Sequence, residues 1–215
     1  MIVSASRRTD IPAFHAEWFM ERVRAGFADV PNPFNARQRL HVDLRPETVE
    51  SVVFWTRNPA PLLPYLDELE GRGLRFVFLV TVMDSPKCLE PATPEFETAL
   101  DTLQRLSGRI GKNRIAWRYD PVLLSPLTPA AFHAETFGRL AERLAPLVSR
   151  CIVSVFDPYP RPVKRLQRLD VEGFRLFTPT EEKAALFELL PQMAASAEDV
   201  GLQVQSCCEG GTLEP

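Results

Sequence analysis

Short runs of apolar residues alternate along the chain with longer segments in which apolar positions recur every three or four residues. The runs are rich in β-branched and aromatic side chains, a composition that is typical of strands. They occupy residues 1–6, 51–56, 75–82, 114–119, 150–156 and 202–206. Because these runs are almost continuously apolar, we expect strands of a parallel sheet that is covered on both faces.

The segments between these runs are predicted to be helices. Apolar residues follow the helical period over residues 16–28, 61–70, 93–110, 128–148 and 180–200. The third begins near Thr93-Pro94, and Gly201 follows the last, both of which are common helix boundaries. Residues 38–43 fit an extra strand, and the irregular stretch 157–177 has room for a short helix and a functional loop.

A strand followed by a helix, five or six times over, predicts an α/β fold with a parallel sheet. We expect a parallel (β/α) barrel, TIM-like and partial or open, with about six βα units. The pattern alone leaves the choice between a closed barrel and an open doubly wound sheet undecided.

Length and composition favour a single domain over residues 1–215. A chain of 215 residues with 45% hydrophobic side chains can bury one large core. The net charge of -3 excludes a strongly basic surface over the whole chain and leaves room for a local basic patch. No apolar run is long enough for a membrane span, the N-terminus lacks a signal-peptide pattern, and four scattered cysteines suit a reducing compartment. We therefore expect a cytoplasmic protein without a membrane partner, and nothing in the sequence predicts a protein partner.

Charged side chains follow the predicted strands at their carboxyl ends, which is the edge where parallel β/α folds bind ligands. The arginines at these positions are Arg7, Arg8, Arg57 and Arg118, and the carboxylates near them are Asp10, Asp120, Asp157 and Glu209. If the strand ends converge, these side chains line one pocket. Guanidinium groups match phosphate and carboxylate groups in two-point contacts, so the pattern predicts a site for an anionic ligand.

Each candidate residue has a predicted role in that site. We expect the four arginines to hold the anion, and the three aspartates to orient them or to transfer protons. Further hydrogen bonds to the substrate are expected from Asn58, Tyr119 and Glu209. The alternative interpretation is structural, because charged residues are common where a strand meets solvent and arginine pairs with aspartate without any ligand.

Histidine and cysteine offer few further candidates. The three histidines lie too far apart for metal-ligand spacing, and His133 falls within a predicted helix, where we expect it at the surface. Cys151 begins a strand and is predicted to be a buried apolar residue. Cys207 and Cys208 are the candidate metal ligands, although neighbouring side chains point to opposite faces of a strand and a metal site needs more ligands than this pair.

Four segments resemble the motifs of a known family. They are SASRRTDIPAF at residues 4–14, VFWTRNP at 53–59, IAWRYDP at 115–121 and SVFDPY at 154–159. Together they resemble the family called domain of unknown function 1848, from Ser4 to about Glu209. The resemblance implies a β/α barrel related to radical S-adenosylmethionine enzymes. It also implies an iron-sulfur cluster, since longer members carry a C-terminal Cys-x-x-x-Cys-x-x-Cys run.

That cysteine run is not in this sequence, in which one of Cys207 and Cys208 matches a single family position. We therefore expect either a fragment of a longer protein with a C-terminal cysteine-rich segment or a shortened member without the cluster. The expected function is that of an enzyme acting on a small anionic molecule, phosphate-bearing or nucleic-acid-derived. Iron-sulfur chemistry is expected only if a longer chain supplies the cysteines. The alternatives are an anion- or nucleotide-binding module without catalysis and a metal-dependent hydrolase built on the same aspartates.

Overall fold

The computed structural model describes residues 1–6, 9–32, 34–169 and 171–207. The chain divides into two compact units, Met1–Val80 and Thr81–Pro215. The strands are β1 (Ile2–Ala5), β2 (Phe27–Asn32), β3 (Asn35–Asp43), β4 (Ser51–Thr56), β5 (Phe76–Thr81), β6 (Ile115–Val122), β7 (Arg150–Val155) and β8 (Val204–Ser206).

Six of these strands form one mostly parallel sheet in the order β1-β4-β5-β6-β7-β8. In the first unit Ser4 of β1 lies opposite Val53 of β4, and in the second Arg118 of β6 lies opposite Ile152 of β7. The remaining two strands, β2 and β3, pair antiparallel in a separate hairpin. The predicted α/β fold with a parallel sheet is therefore confirmed, whereas the single domain over residues 1–215 stays a prediction.

The helices follow the predicted apolar periods, and none within the described ranges is long and apolar enough to span a membrane. They are α1 (Ile11–Phe14), α2 (Ala16–Ala25), α3 (Leu66–Gly71), α4 (Phe96–Ile110), α5 (Ala130–Leu144), α6 (Pro160–Leu166) and α7 (Pro179–Asp199), with 3-10 turns at Ala60–Tyr65, Lys112–Arg114 and Ala145–Leu147. The start of α7 shows why a helix begins there. The Thr178 hydroxyl accepts from the Glu181 amide, and the Glu181 carboxylate accepts from the Thr178 amide, so two otherwise unpaired donors are satisfied.

The first long helix ends earlier than its pattern predicts. It was expected over residues 16–28, but α2 ends at Ala25 because Gly26 adopts a left-handed conformation with φ 81°. The chain then enters β2, a strand that the sequence pattern did not indicate. The expected strand over residues 38–43 is confirmed as part of β3, which pairs with β2.

In the first unit, β4 separates its side chains between two faces of the sheet. Val52, Phe54 and Thr56 are buried, while the residues between them are partly exposed on the opposite face. The ring of Phe54 packs against Phe19 of α2, with ring centroids 5.3 Å apart, and against Phe78 of β5 at 5.0 Å. The core of this unit therefore lies between the sheet and α2.

In the second unit, β6 alternates in the same way. Trp117 and Tyr119 are fully buried and face α5, where Trp117 stacks on Phe137 with ring centroids 5.1 Å apart. Arg118 and Asp120 lie on the opposite face, which is only partly buried. The expectation of strands covered on both faces is therefore wrong for β6 and also for β7, whose Ile152 and Ser154 are partly exposed on that same face.

Candidate functional site

A polar cluster lies at the carboxyl ends of β6 and β7, within the second unit. Arg118 and Asp120 are two residues apart on β6, so their side chains share one face of the sheet. The Nη2 atom of Arg118 lies 2.5 Å from Oδ2 of Asp120, and the hydroxyl of Ser154 donates a hydrogen bond to Oδ1 of Asp120. These three residues are called the Arg118 cluster below. Ser154 was not among the predicted site residues, although its place at a strand end within the SVFDPY segment was a signal for it.

Partial burial distinguishes this ion pair from those at the surface. The side chain of Arg118 is 11% exposed and that of Asp120 is 24% exposed. Salt screens a pair in this position less than it screens an exposed pair. Asp120 accepts from both of its neighbours and so holds the guanidinium of Arg118 in one orientation. A guanidinium that is already oriented loses less conformational entropy when it binds a phosphate or carboxylate.

Tyr119 lies on the other face of β6. Its hydroxyl oxygen is 2.8 Å from Nδ1 of His133, and Nε2 of His133 lies 3.0 Å from the carbonyl oxygen of Leu123. A carbonyl only accepts, so Nε2 carries the proton and Nδ1 accepts from the Tyr119 hydroxyl. The expected surface position of His133 is therefore wrong: it is buried because its ring continues a hydrogen-bond chain through the core of the unit. The role of Tyr119 in substrate binding stays a prediction.

We expect His133 to make the protein less stable in mild acid. Burial lowers the pKa of its imidazole below the ordinary value of 6.5. At a pH between the lowered pKa and 6.5, the unfolded chain binds a proton that the folded chain does not, so this contribution is complete above pH 6.5 and falls as the pH decreases. The loss reaches at most about 1.4 kcal/mol per pH unit.

Urea unfolding at about pH 7.5 and about pH 5.5 measures this effect as a change in the free energy of unfolding. The variant His133→Gln, which cannot titrate, is expected to lose less stability over the same interval. If the two proteins lost stability equally, His133 would not be the titrating group.

In the first unit, Asp10 and Asn58 bind backbone groups. Asp10 caps α1 by accepting from the amide of Ala13 through Oδ1 at 3.0 Å, and its Oδ2 accepts from the amide of Arg57 at 2.7 Å. Asn58 accepts from the amide of Ala60 at 3.1 Å, at the start of a 3-10 turn. Asp10 thus ties the loop after β1 to the loop after β4. This geometry supports the structural interpretation, and the catalytic role of Asp10 and the substrate-binding role of Asn58 stay predictions.

The remaining predicted site residues lie elsewhere in the chain. The side chain of Arg57 is partly exposed after β4 in the first unit, whereas Arg118 belongs to the second. Asp157 is exposed beyond the end of β7, where its hydrogen bond with the Tyr159 hydroxyl raises the pKa of that group. Outside the described residues lie Arg7, Arg8, Cys208 and Glu209. The convergence of the four arginines on one pocket therefore stays a prediction.

The described cysteines do not fit an iron-sulfur cluster. Cys88 is exposed in the loop after β5, Cys151 is buried in β7, and Cys207 follows β8. The predicted burial of Cys151 is confirmed, and this burial raises the pKa of its thiol, which disfavours the thiolate that a metal ligand needs. Within residues 1–6, 9–32, 34–169 and 171–207, no three histidine, cysteine or acidic side chains are grouped as metal ligands. The metal-binding role of Cys207 stays a prediction.

A cavity of about 180 Å³ opens beside the ends of β6 and β7, on the side of α6. Its walls are mostly apolar, with Leu123, Phe156 and Leu166 among them, and Glu90 and Arg165 add one charge of each sign. Its lining does not include the Arg118 cluster. The cavity and the Arg118 cluster are therefore separate features of the second unit.

Comparison with known proteins adds a family and a fold. Residues 2–215 match the model of the family described as Domain of unknown function (DUF1848). The comparison with curated proteins found no match to this chain. Among solved structures, spore photoproduct lyase complexed with dinucleoside spore photoproduct has 16% sequence identity and a TM-score of 0.58, and the match covers 96% of this chain and 61% of that chain.

Two further structures have similar folds. A double mutant of spore photoproduct lyase with bound AdoMet and dinucleoside spore photoproduct has 14% identity and a TM-score of 0.58, and the match covers 95% of this chain and 60% of that chain. Coproporphyrinogen III oxidase from Escherichia coli, described as a radical SAM enzyme, has 18% identity and a TM-score of 0.49 over 68% of this chain and 32% of that chain. The α/β fold expected from the family resemblance is thus shared with spore photoproduct lyase, one of whose structures holds AdoMet. This chain spans 61% of the length of spore photoproduct lyase.

Proposed function

This chain belongs to the family named domain of unknown function 1848, and from that premise we propose that it is an enzyme for a phosphate-bearing, nucleic-acid-derived substrate. The substrate binds at the carboxyl ends of the parallel strands. The observation that carries the proposal is the Arg118 cluster, an oriented guanidinium at the strand ends of an α/β fold.

The position of Arg118 favours a ligand over a purely structural role. Taking an arginine and an aspartate largely out of water costs desolvation energy, and well-packed apolar residues are often at least as stabilising at such positions. Both residues stand on the partly exposed face of β6, while Trp117 and Tyr119 on the opposite face are fully buried and hydrogen-bonded. A charge pair retained on the open face is the arrangement expected of a binding surface.

Similarity of fold supports the choice of a nucleic-acid-derived substrate. Spore photoproduct lyase, whose fold this chain shares, was solved with a dinucleoside spore photoproduct. A ligand of that kind that also carries phosphate offers an anion for Arg118 and bases for apolar surface. The proposed substrate class is therefore a short oligonucleotide or a modified nucleotide.

The residues take the following roles in this proposal. Arg118 binds a phosphate oxygen pair, Asp120 holds the guanidinium in place, and Ser154 holds Asp120. The sequence adds, as predictions only, anion contacts from Arg7, Arg8 and Arg57, hydrogen bonds from Asn58, Tyr119 and Glu209, and proton transfer by Asp157 or Asp10. The described cysteines do not fit an iron-sulfur cluster, and the proposed roles belong to side chains that need none.

Calorimetric titration with a phosphorylated dinucleotide, pTpT, tests the proposal. We expect pTpT to bind at least about 10-fold more tightly than thymidine, which lacks phosphate, because the charge-assisted contact to Arg118 is absent from the nucleoside. Inorganic phosphate is expected to compete with pTpT.

Equal affinity for pTpT and thymidine would contradict the anion site. Mass spectrometry of the dinucleotide after incubation then separates an enzyme, which changes its mass or bonding, from a binding module, which returns it unchanged.

A further inference from the structure

The β2–β3 hairpin exposes a large aromatic side chain at its tip. Phe34, in the turn between the two strands, is 96% exposed. An aromatic ring in water lacks the hydrophobic stabilisation that it would gain by burial. The exposed ring therefore adds little to the stability of the first unit. Its position favours contact with a partner.

Basic residues follow Phe34 closely in the sequence. Arg37 and Arg39 are two residues apart on β3 and so share one face of the hairpin, and both are exposed. On the same face, nearer the base, His41 pairs with Asp29 at 2.8 Å. The segment 31–40 contains two arginines and no acidic residue, which gives it a charge of +2 within a chain of net charge -3. The tip is therefore a local basic patch on an acidic protein.

Side-chain hydrogen bonds connect the described residues on either side of the tip. The side chain of Asn32 accepts from the amide of Phe34 at 2.9 Å and donates to Gln38 across the hairpin at 2.9 Å. Asn35 accepts from the amide of Arg37 at 3.2 Å. Such bonds stabilise tight turns and reduce the entropy that is lost when the tip binds a partner. The backbone amides of Phe34 and Arg37 are thus each bound by a nearby asparagine side chain.

We propose that the tip of the β2–β3 hairpin binds single-stranded nucleic acid. Phe34 stacks on an unpaired base, and Arg37 and Arg39 contact the phosphates on either side of it. Proteins that bind single strands combine aromatic stacking with positive charge along the backbone, and both are present here within the six residues 34–39. A single strand is favoured over a duplex because only an unstacked base offers its face to the ring. This inference goes beyond the proposed substrate site and does not depend on it.

Fluorescence anisotropy with a labelled oligothymidylate of about 20 nucleotides tests the inference. We expect Phe34→Ala to weaken binding about 5- to 100-fold, with no change in the salt dependence of the affinity, because the stacked base carries no charge. The double variant Arg37→Gln/Arg39→Gln is expected to weaken binding and to lower the slope of log affinity against log salt concentration by about 1.4.

Matched controls are available elsewhere in the chain. Phe187, on α7, is 83% exposed, and Phe187→Ala therefore removes a ring that is also largely exposed. Arg105→Gln/Lys112→Gln removes two exposed positive charges from the other unit. Both controls are expected to keep the oligothymidylate affinity within about twofold.

Several outcomes would overturn the inference. These are an absence of oligothymidylate binding by the unaltered chain, unchanged affinity in both hairpin variants, and an equal loss in the controls. A protein partner would be indicated instead if sedimentation showed that Phe34→Ala dissociates a dimer while the oligothymidylate affinity stays the same. The hairpin variants should keep their affinity for pTpT, so a failure here and a failure of the proposed function are distinguishable.

Discussion

Replacing Arg118 by alanine is expected to weaken the binding of pTpT by about 100-fold or more while leaving the protein folded. The substitution removes the guanidinium that contacts the phosphate. It also leaves the negative charge of Asp120, which is 24% exposed, on the surface that the anion approaches. Attraction is thus replaced by repulsion, and the loss exceeds that of one contact. Calorimetric titration measures the affinity, and thermal unfolding shows that the variant is folded.

Two further variants separate the roles within the cluster. Arg118→Lys keeps the charge but lacks the planar pair of donors, so it should recover only part of the affinity. Asp120→Asn keeps the shape but no longer holds Arg118 as an ion-pair partner, and we expect a smaller loss than in Arg118→Ala. An unchanged affinity for pTpT in Arg118→Ala would remove the cluster from the binding site.

Replacing Trp117 by alanine is expected to have the largest effect on stability, about 3–5 kcal/mol. The indole is fully buried and stacks on Phe137, and its Nε1 donates to the carbonyl of Val82 at 2.8 Å. Alanine leaves a cavity beneath α5 and a buried carbonyl without this donor. Unfolding in urea, followed by circular dichroism, measures the change in the free energy of unfolding.

Two further variants provide comparisons for the loss of stability in Trp117→Ala. Trp117→Phe keeps most of the volume and loses the hydrogen bond to Val82, so about 1–3 kcal/mol is expected. Trp18→Ala removes a ring that is 44% exposed and should cost much less. Similar losses for Trp117→Ala and Trp18→Ala would mean that the packing of β6 on α5 contributes little to stability.

The sequence was sufficient to predict those elements that bury a continuous or periodic set of apolar residues. The run at residues 51–56 coincides with β4, and the helix expected over 180–200 is α7, which begins one residue earlier and ends one residue earlier. It was not sufficient to predict β2, because Pro31 disfavours a strand and only Ala28 of this strand is buried. A strand that exposes most of its side chains leaves little periodic signal.

The sequence predicted the part of the candidate site whose residues are close neighbours in the chain. It did not predict contacts between residues of different elements. Arg118 and Asp120 are neighbours on one strand, so the pleat of the strand already places them on a common face. The buried position of His133 depends on Tyr119, which the fold brings from another element, and no local pattern reveals such a partner. Asp10 binds one amide nearby, at Ala13, and one that is far away in sequence, at Arg57. The proximity of Arg57 follows only from the pairing of β1 with β4.

The double use of Asp10 has a consequence for any motion at this edge of the first unit. One carboxylate is the acceptor for two peptide groups, one at residue 13 and one at residue 57. Asp10 and the start of α1 cannot move away from the loop after β4 unless the carboxylate releases the amide of residue 57. Conformational changes that admit a substrate are therefore expected to carry Asp10 and that loop together as one element.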